Sequence, residues 1–207
     1  MRFKPFVIAL NGPPKIGKGW LAEKLTHLLP FHSRIMSLAE PIKIEAMTRD
    51  RWSGSYAEYK EHIFADGTSG RDHLIQLGEK QRTYDINHWN RQVTENPKFA
   101  DPDAPIIIID DIGFPAERVW LSDQAERIMT IVMSPTRYSP GCIWEGDSRV
   151  CLHQHEGGIR ALNSDSALRI FKDRLTDAES YVSTHTAQRT IWFDALMGRL
   201  VEQSEAL

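Results

Sequence analysis

The chain has 207 residues, of which 41% are apolar and 26% charged, with a formal net charge of −3 at pH 7. That length supports one sizeable core with insertions, and the mild acidity excludes a general attraction to nucleic-acid backbones or anionic membranes. With two cysteines and no apolar run near the ~20 residues of a membrane span, the expectation is a soluble cytoplasmic protein without disulfides, nucleic-acid partners or membrane partners.

The first predicted element is a strand, Phe6-Val7-Ile8-Ala9-Leu10. Behind it comes Gly12-Pro13-Pro14-Lys15-Ile16-Gly17-Lys18-Gly19, flanked by Asn11 and Trp20. Leu21, Leu25, Leu28 and Leu29 then recur at helical spacing, ending near Pro30. Strand, glycine-rich loop and helix in that order form a phosphate cradle. Gly12 and Gly17 let backbone N–H groups turn inward, the helix adds its positive end, and Lys18 adds a full charge. Gly19 stands where the usual pattern has a magnesium-binding Ser or Thr. A glycine-rich turn that binds nothing is the alternative reading.

Arg34–Leu38 reads as a second strand, followed by Pro41 at the first turn of a helix. From about 41 to 103 charged and aromatic residues crowd in without a buried-strand run, which predicts a helical insertion. Within it Ser69 caps a helix carrying Leu74, Ile75 and Leu77, and Arg71 lies near its positive end. Arg71 and Arg82 are eleven residues apart, about 16 Å of helix, so they share one phosphate only if the chain bends, with Gly78 as the place. The turn chemistry of 101–105 returns the chain to the sheet.

Ile106–Ile109 reads as a strand covered on both faces, with Asp110 and Asp111 emerging at its carboxyl end, where open α/β sheets place ligands. Arg127–Met133 is a further strand. The stretch 134–158 has no sustained period and reads as a mobile excursion whose basic residues are Arg137 and Arg149. Ile159–Leu162 predicts a short last strand, followed by helices with Leu168, Phe171, Leu175 and then Trp192, Leu196, Leu200 on their buried faces. Cys142, Cys151, His153 and His155 could supply four zinc ligands, but their spacing matches no usual structural site, and free thiols with polar histidines are the preferred reading.

Several motifs outside the loop agree with one family. Gly-x-Pro-x-x-Gly-Lys-Gly resembles the loop of adenylate and related nucleoside monophosphate kinases. Leu38-Ala39-Glu40-Pro41-Ile42-Lys43 is similar to the Phe-Ala-Asp-Pro-Leu-Lys of the bacteriophage deoxynucleoside monophosphate kinases. Gly70-Arg71 through Gly78-Glu79 resembles that family's Gly-Arg-x-x-Leu-x-x-x-Gly helix, and Asp85-Ile86-Asn87-His88-Trp89 its Asp-x-Asp/Asn-x-Trp. Asp110-Asp111-Ile112-Gly113-Phe114-Pro115-Ala116-Glu117 resembles Asp-Asp-Val-Arg-Phe-Pro-Asn-Glu, with Gly113 in place of arginine and Ala116 in place of asparagine. His153-Gln154-His155-Glu156 resembles His-x-Ser-Glu, with His155 in place of serine, and Leu162-Asn163-Ser164-Asp165 a later Asn-Asp-Gly-containing segment.

The resemblance implies a three-layer P-loop kinase fold. Its core would be 1–40 and 104–207, its acceptor-binding helical insertion about 41–103, and its lid-like excursion about 134–158. It implies transfer of the γ-phosphoryl of ATP to a deoxynucleoside 5′-monophosphate, in the host cytoplasm if the chain is phage-encoded, with a homodimer left open. Lys18, Asp110, Asp111 and Arg137 would be catalytic, with Mg²⁺ held through water by Asp110 and Asp111. Asn11 to Trp20, that is Asn11, Gly12, Pro13, Pro14, Lys15, Ile16, Gly17, Lys18, Gly19 and Trp20, would bind ATP, with Asn163 and Ser164 at the adenine edge. Lys43, Arg71, Gln76, Arg82, Trp89, Phe114 and Glu117 would bind the acceptor. A kinase for another small molecule such as dephospho-coenzyme A, a P-loop ATPase that does mechanical work, and a non-catalytic nucleotide-binding module remain open.

Overall fold

Strand β1, Phe6–Asn11, is buried at all six positions, because it has a neighbour on each side and a helical layer over each face. In the computed structural model, which describes residues 2–145, 147–184 and 189–197, β1 pairs in parallel with β3 (Ile106–Ile109) and β4 (Arg127–Met133). Strand β2 (Ser33–Met36) pairs with β3, and β5 (Ile159–Ala161) with β4, so five strands lie in the order β2-β3-β1-β4-β5, all parallel.

The two-residue period of the strands sorts their side chains into two cores. Phe6, Ile8, Leu10, Ile106, Ile108 and Ile131 pack on one face against α1 (Lys18–Leu28), α7 (Ser164–Thr184) and α8 (Arg189–Leu196), through Leu21, Leu25, Phe171 and Phe193. On the opposite face, Val7, Ala9, Ile107, Ile109 and Val132 meet Val93 of α5 (His88–Thr94) and Leu121 of α6 (Pro115–Gln124). The four isoleucines of β3 serve both layers, each worth about 1.5–3 kcal/mol on burial, which is why the strand reads as an unbroken apolar run. Trp192 and Leu196 are buried as their spacing predicts; Leu200 lies outside the described residues. Among the described residues no helix is long and apolar enough to cross a membrane.

The segment between β2 and β3 folds into α2 (Glu40–Arg49), α3 (Tyr56–Glu61), α4 (Gly70–Tyr84) and α5, around a small core of Ile42, Ala46, Tyr59, Leu77 and Trp89. Serines start two of these helices. The Ser55 and Ser69 hydroxyls accept from the backbone N–H of Glu58 and Asp72, whose carboxylates accept in return from the serine amides. Helix α4 runs unbroken for 15 residues through Gly78. Gly78 serves packing instead of the expected bend: a Cβ there would meet Arg82 Nη1 at 3.0 Å and Ile42 Cδ1 at 3.5 Å.

A parallel sheet carries all its strand ends to one edge, and β1 sits where the connections diverge to either side. The loops after β1, β2, β3 and β4 therefore meet there. Strand β2 stops two residues before its predicted end, because the amides of Leu38 and Ala39 turn away from the ladder to bind Asp111. The excursion after β4 is fastened to the same edge. Val150 N donates to Gly113 O at 2.9 Å, and buried Asn11 donates to Ile112 O (2.9 Å) and Val150 O (3.0 Å) while accepting from Leu152 N (2.9 Å).

Candidate functional site

The loop between β1 and α1 is shaped for close approach. Lys15 and Gly17 hold left-handed backbone at φ 64 and 92, a conformation that costs a non-glycine residue roughly 1–2 kcal/mol. A Cβ on Gly12 would stand 2.9 Å from both Met133 O and Ile16 Cγ2, and one on Gly17 would stand 2.7 Å from Ser164 Oγ. Among the described residues no side chain caps α1, and its first turn carries no acid, so its leading N–H groups and dipole have no competing side chain and suit an anion. Lys18 lies beneath the loop, donating from Nζ to Gly12 O (2.7 Å) and Pro13 O (2.8 Å). Burial, reinforced by the nearby charge of Arg149, lowers its pKa to about 8.

The paired acids at the end of β3 divide into two roles. Asp111 Oδ2 accepts from Ser37 Oγ (2.6 Å) and Ala39 N (3.0 Å), and Oδ1 from Leu38 N (2.7 Å). It thereby anchors the entry to α2. Asp110 Oδ1 is buried without a hydrogen-bond partner, and burial, aided by repulsion from Asp111, raises its pKa to about 6. Of the two, Asp110 is the carboxylate with an oxygen to offer a cation or its water.

Loop, acids and insertion enclose one cleft of about 440 Å³. Lys15 and Lys18 enter from the loop side, Lys43 from α2, Lys60 from α3, Arg71 and Arg82 from α4, and Arg149 from the excursion: seven basic residues against the acids Asp110, Asp111, Glu117 and Asp147. Seven basic against four acidic side chains give the cleft a net positive field, which its low-dielectric walls concentrate. Lys43 Nζ donates to Ser37 Oγ (3.1 Å) and pairs with Glu40 (3.3 Å).

At one end the Arg82 guanidinium lies 4.3 Å over the Phe114 ring and 3.7 Å from Glu117 Oε1. Glu117 is 5% exposed. Burial pushes its pKa up to about 7, against the opposing pull of the Gly113 N–H and of Arg82, and its Oε2 accepts from Gly113 N (2.8 Å) and Phe114 N (3.1 Å). Burial lowers the pKa of Lys60, and the charges of Arg71 and Lys15 act in the same direction.

Other predicted residues lie elsewhere. Trp89 is 2% exposed in the core of the insertion and donates from Nε1 to Gly78 O at 3.3 Å; it holds α5 on α4. Gln76 is exposed on α4 and does not line the cleft. Arg137 is 70% exposed, 3.6 Å from Glu145 and 5.0 Å over the Tyr138 ring, outside the cleft. Trp20 is exposed, with the Lys24 ammonium 5.8 Å over its ring. Asn11 is a buried clamp and not a lining residue. Asn163 caps α7 by accepting from Ser166 N at 2.9 Å, which sets Ser164 against Gly17.

The residues that sequence reasoning missed are Ser37, Tyr56, Lys60, Asp147 and, as an occupant of the cleft, Arg149. Arg149 carried a signal as a basic residue of the aperiodic excursion, and Lys60 as one of the charged residues that crowd the insertion. Cys142 is exposed and Cys151 buried, and among the described residues no group of three or more His, Cys, Asp or Glu side chains is placed to hold a metal ion. In comparisons with known proteins, no family model matches the chain and no curated protein shows significant similarity to it.

Proposed function

We propose that this chain is a P-loop phosphotransferase that moves the γ-phosphoryl group of ATP to a deoxynucleoside 5′-monophosphate. The observation that carries the reading is the convergence of two separately predicted sites, the Gly12–Lys18 loop and the basic face of the 41–103 insertion, on a single cleft. A second set of basic side chains in the cleft suits a phosphate-bearing acceptor, and ATP binding or hydrolysis alone does not require it.

On this reading the loop amides and Lys18 hold the β and γ phosphates, and Arg71 with Lys43 holds the acceptor phosphate. Phe114, Arg82 and Glu117 form the nucleoside end. An acceptor phosphate oxygen attacks the γ phosphorus as the bond from that phosphorus to the β-bridging oxygen breaks, giving ADP and a nucleoside diphosphate. A monoester phosphate has its second pKa near 6, so the attacking oxygen carries no proton at neutral pH and no strong base is required. The work left to the protein is positioning and charge stabilisation. Asp110, with its unpartnered buried oxygen, fits a water-mediated Mg²⁺ site, and the ion would supply neutralisation of the phosphate charge when bound.

A coupled assay of ADP release, run with ATP and a panel of nucleoside and deoxynucleoside monophosphates, tests the reading. Acceptor-dependent ADP release with at least one monophosphate is expected. ADP release indifferent to every monophosphate, release with dephospho-coenzyme A alone, or ATP binding without release would overturn it.

A further inference from the structure

We infer that Arg149 and Gly113 act as one unit: Arg149 contacts the phosphate chain between donor and acceptor, and position 113 is glycine so that this side chain can lie across it. The inference rests on the phosphotransferase reading for the identity of the phosphates, but the pairing itself is geometric. Val150 N donates to Gly113 O at 2.9 Å, which docks the excursion directly on residue 113 and forces the preceding residue over its Cα. A Cβ on Gly113 would stand 2.6 Å from Arg149 Cβ and closer still to Cγ and Cδ. Real Cβ atoms do not approach carbon so closely, so a side chain at 113 and the present placement of Arg149 exclude each other.

That placement has the features of a binding group held ready. The Arg149 side chain is only 26% exposed and lines the cleft with Lys18, Asp110 and Arg71. Asp147 accepts from its Nε at 2.9 and 3.0 Å and also from Nη2. Nη1, in contrast, makes a 3.5 Å approach to the Asp111 carbonyl, too long to satisfy a guanidinium edge. A charge-assisted contact to a phosphate oxygen is the stronger partner for that edge. Asp147, itself 8% exposed in its side chain, keeps the fork oriented. Arginine on a solvent-exposed latch would instead carry its pair outward, as Arg137 does with Glu145.

The test is a cycle of Arg149→Gly, Gly113→Ala and the double variant, with Arg149→Ala measured beside it. It is read by steady-state kinetics with each substrate varied, by calorimetric titration with inorganic tripolyphosphate, and by thermal unfolding to confirm folding. Arg149→Ala is expected to lower kcat/KM about 10²-fold and weaken tripolyphosphate about tenfold, the loss of one charged contact in a closed site. Gly113→Ala should do nearly the same by expelling Arg149, yet change an Arg149→Gly background, which has no Cβ left to clash, less than about threefold, since coupled residues are not additive.

Turnover and tripolyphosphate affinity within a fewfold of wild type in folded Arg149→Ala would overturn the inference and leave the kinase reading standing. Equal cost of Gly113→Ala in both backgrounds would overturn the pairing. A wild type that binds tripolyphosphate through Arg149 but transfers no phosphoryl group would keep the inference and remove the kinase.

Discussion

Replacing Arg71 by alanine separates a monophosphate kinase from other proteins with a phosphate loop. Arg71 is the second residue of α4 and Arg82 the thirteenth. On an unbroken helix their Cα atoms are about 16 Å apart, so the two side chains enter the cleft from positions three turns apart. Arg82 is committed to Phe114 and Glu117, whereas Arg71 lines the same cleft from the first turn of α4. Loss of a charged bidentate phosphate contact costs about 1.5–3 kcal/mol, or roughly 10- to 150-fold. Arg71→Ala should therefore raise the acceptor KM by one to two decades, with ATP affinity measured in the absence of acceptor changed about twofold or less. The assay is initial-rate kinetics with each substrate varied in turn, together with calorimetric ATP titration. If neither acceptor parameter moves, or if ATP binding weakens as much as acceptor binding, the insertion does not hold the acceptor phosphate.

Lys18→Ala should leave thermal unfolding nearly unchanged and lower turnover by roughly 10²-fold or more; turnover within a fewfold of wild type refutes the loop assignment. The two acids should separate in a stability assay. Asp111→Ala deprives the Leu38 and Ala39 amides of their acceptor and should cost about 2–4 kcal/mol in urea unfolding, whereas Asp110→Asn removes a buried charge and should be no less stable than wild type above pH 6 while losing activity. Reversal of that order would mean that the roles are exchanged. Glu117 has its folded pKa raised from 4.5 to about 7, so between those values the folded state binds more protons than the unfolded one and stability falls as pH rises. Relative to Glu117→Gln, wild type should lose about 2–3 kcal/mol between pH 5 and pH 7.5 and then level off; parallel stability curves for the two proteins would contradict the buried carboxyl.

What the sequence made legible follows from how local its causes were. Ile106–Ile109 was predicted to the residue because a strand covered on both faces must be apolar throughout, and Arg127–Met133, apolar but for Arg127 and Thr130, was also read to the residue. Ser69 announced α4 because a capping hydroxyl acts three residues away. The end of β2 was misplaced because it is set by Asp111, more than 70 residues downstream. Trp89 was read as an acceptor contact from its motif, but a motif does not record which way a ring points, and this one fills the core of the insertion. Arg137 and Arg149 lie in one aperiodic stretch, and nothing local tells them apart. The bond from Val150 N to Gly113 O brings Arg149 inward, and Arg137 is left at the surface.

The distribution of charge makes the same point at the level of the whole molecule. The chain is net acidic at −3, yet the cleft gathers seven basic and four acidic side chains, and two of those acids, Asp110 and Glu117, have pKa values raised toward neutrality. Folding therefore concentrates positive charge that the composition hides, with mutual repulsion visible in the effect of Arg149 on Lys18. Like charges are held this close only because separate elements, each stabilised by its own apolar face, carry them there: the loop by β1 and α1, the insertion by its small core, the excursion by Asn11 and Gly113. On the proposed reading, a polyanion would relieve that repulsion. A cleft assembled against its own electrostatics from three separate supports is better explained by a ligand that balances it than by the stability of the fold.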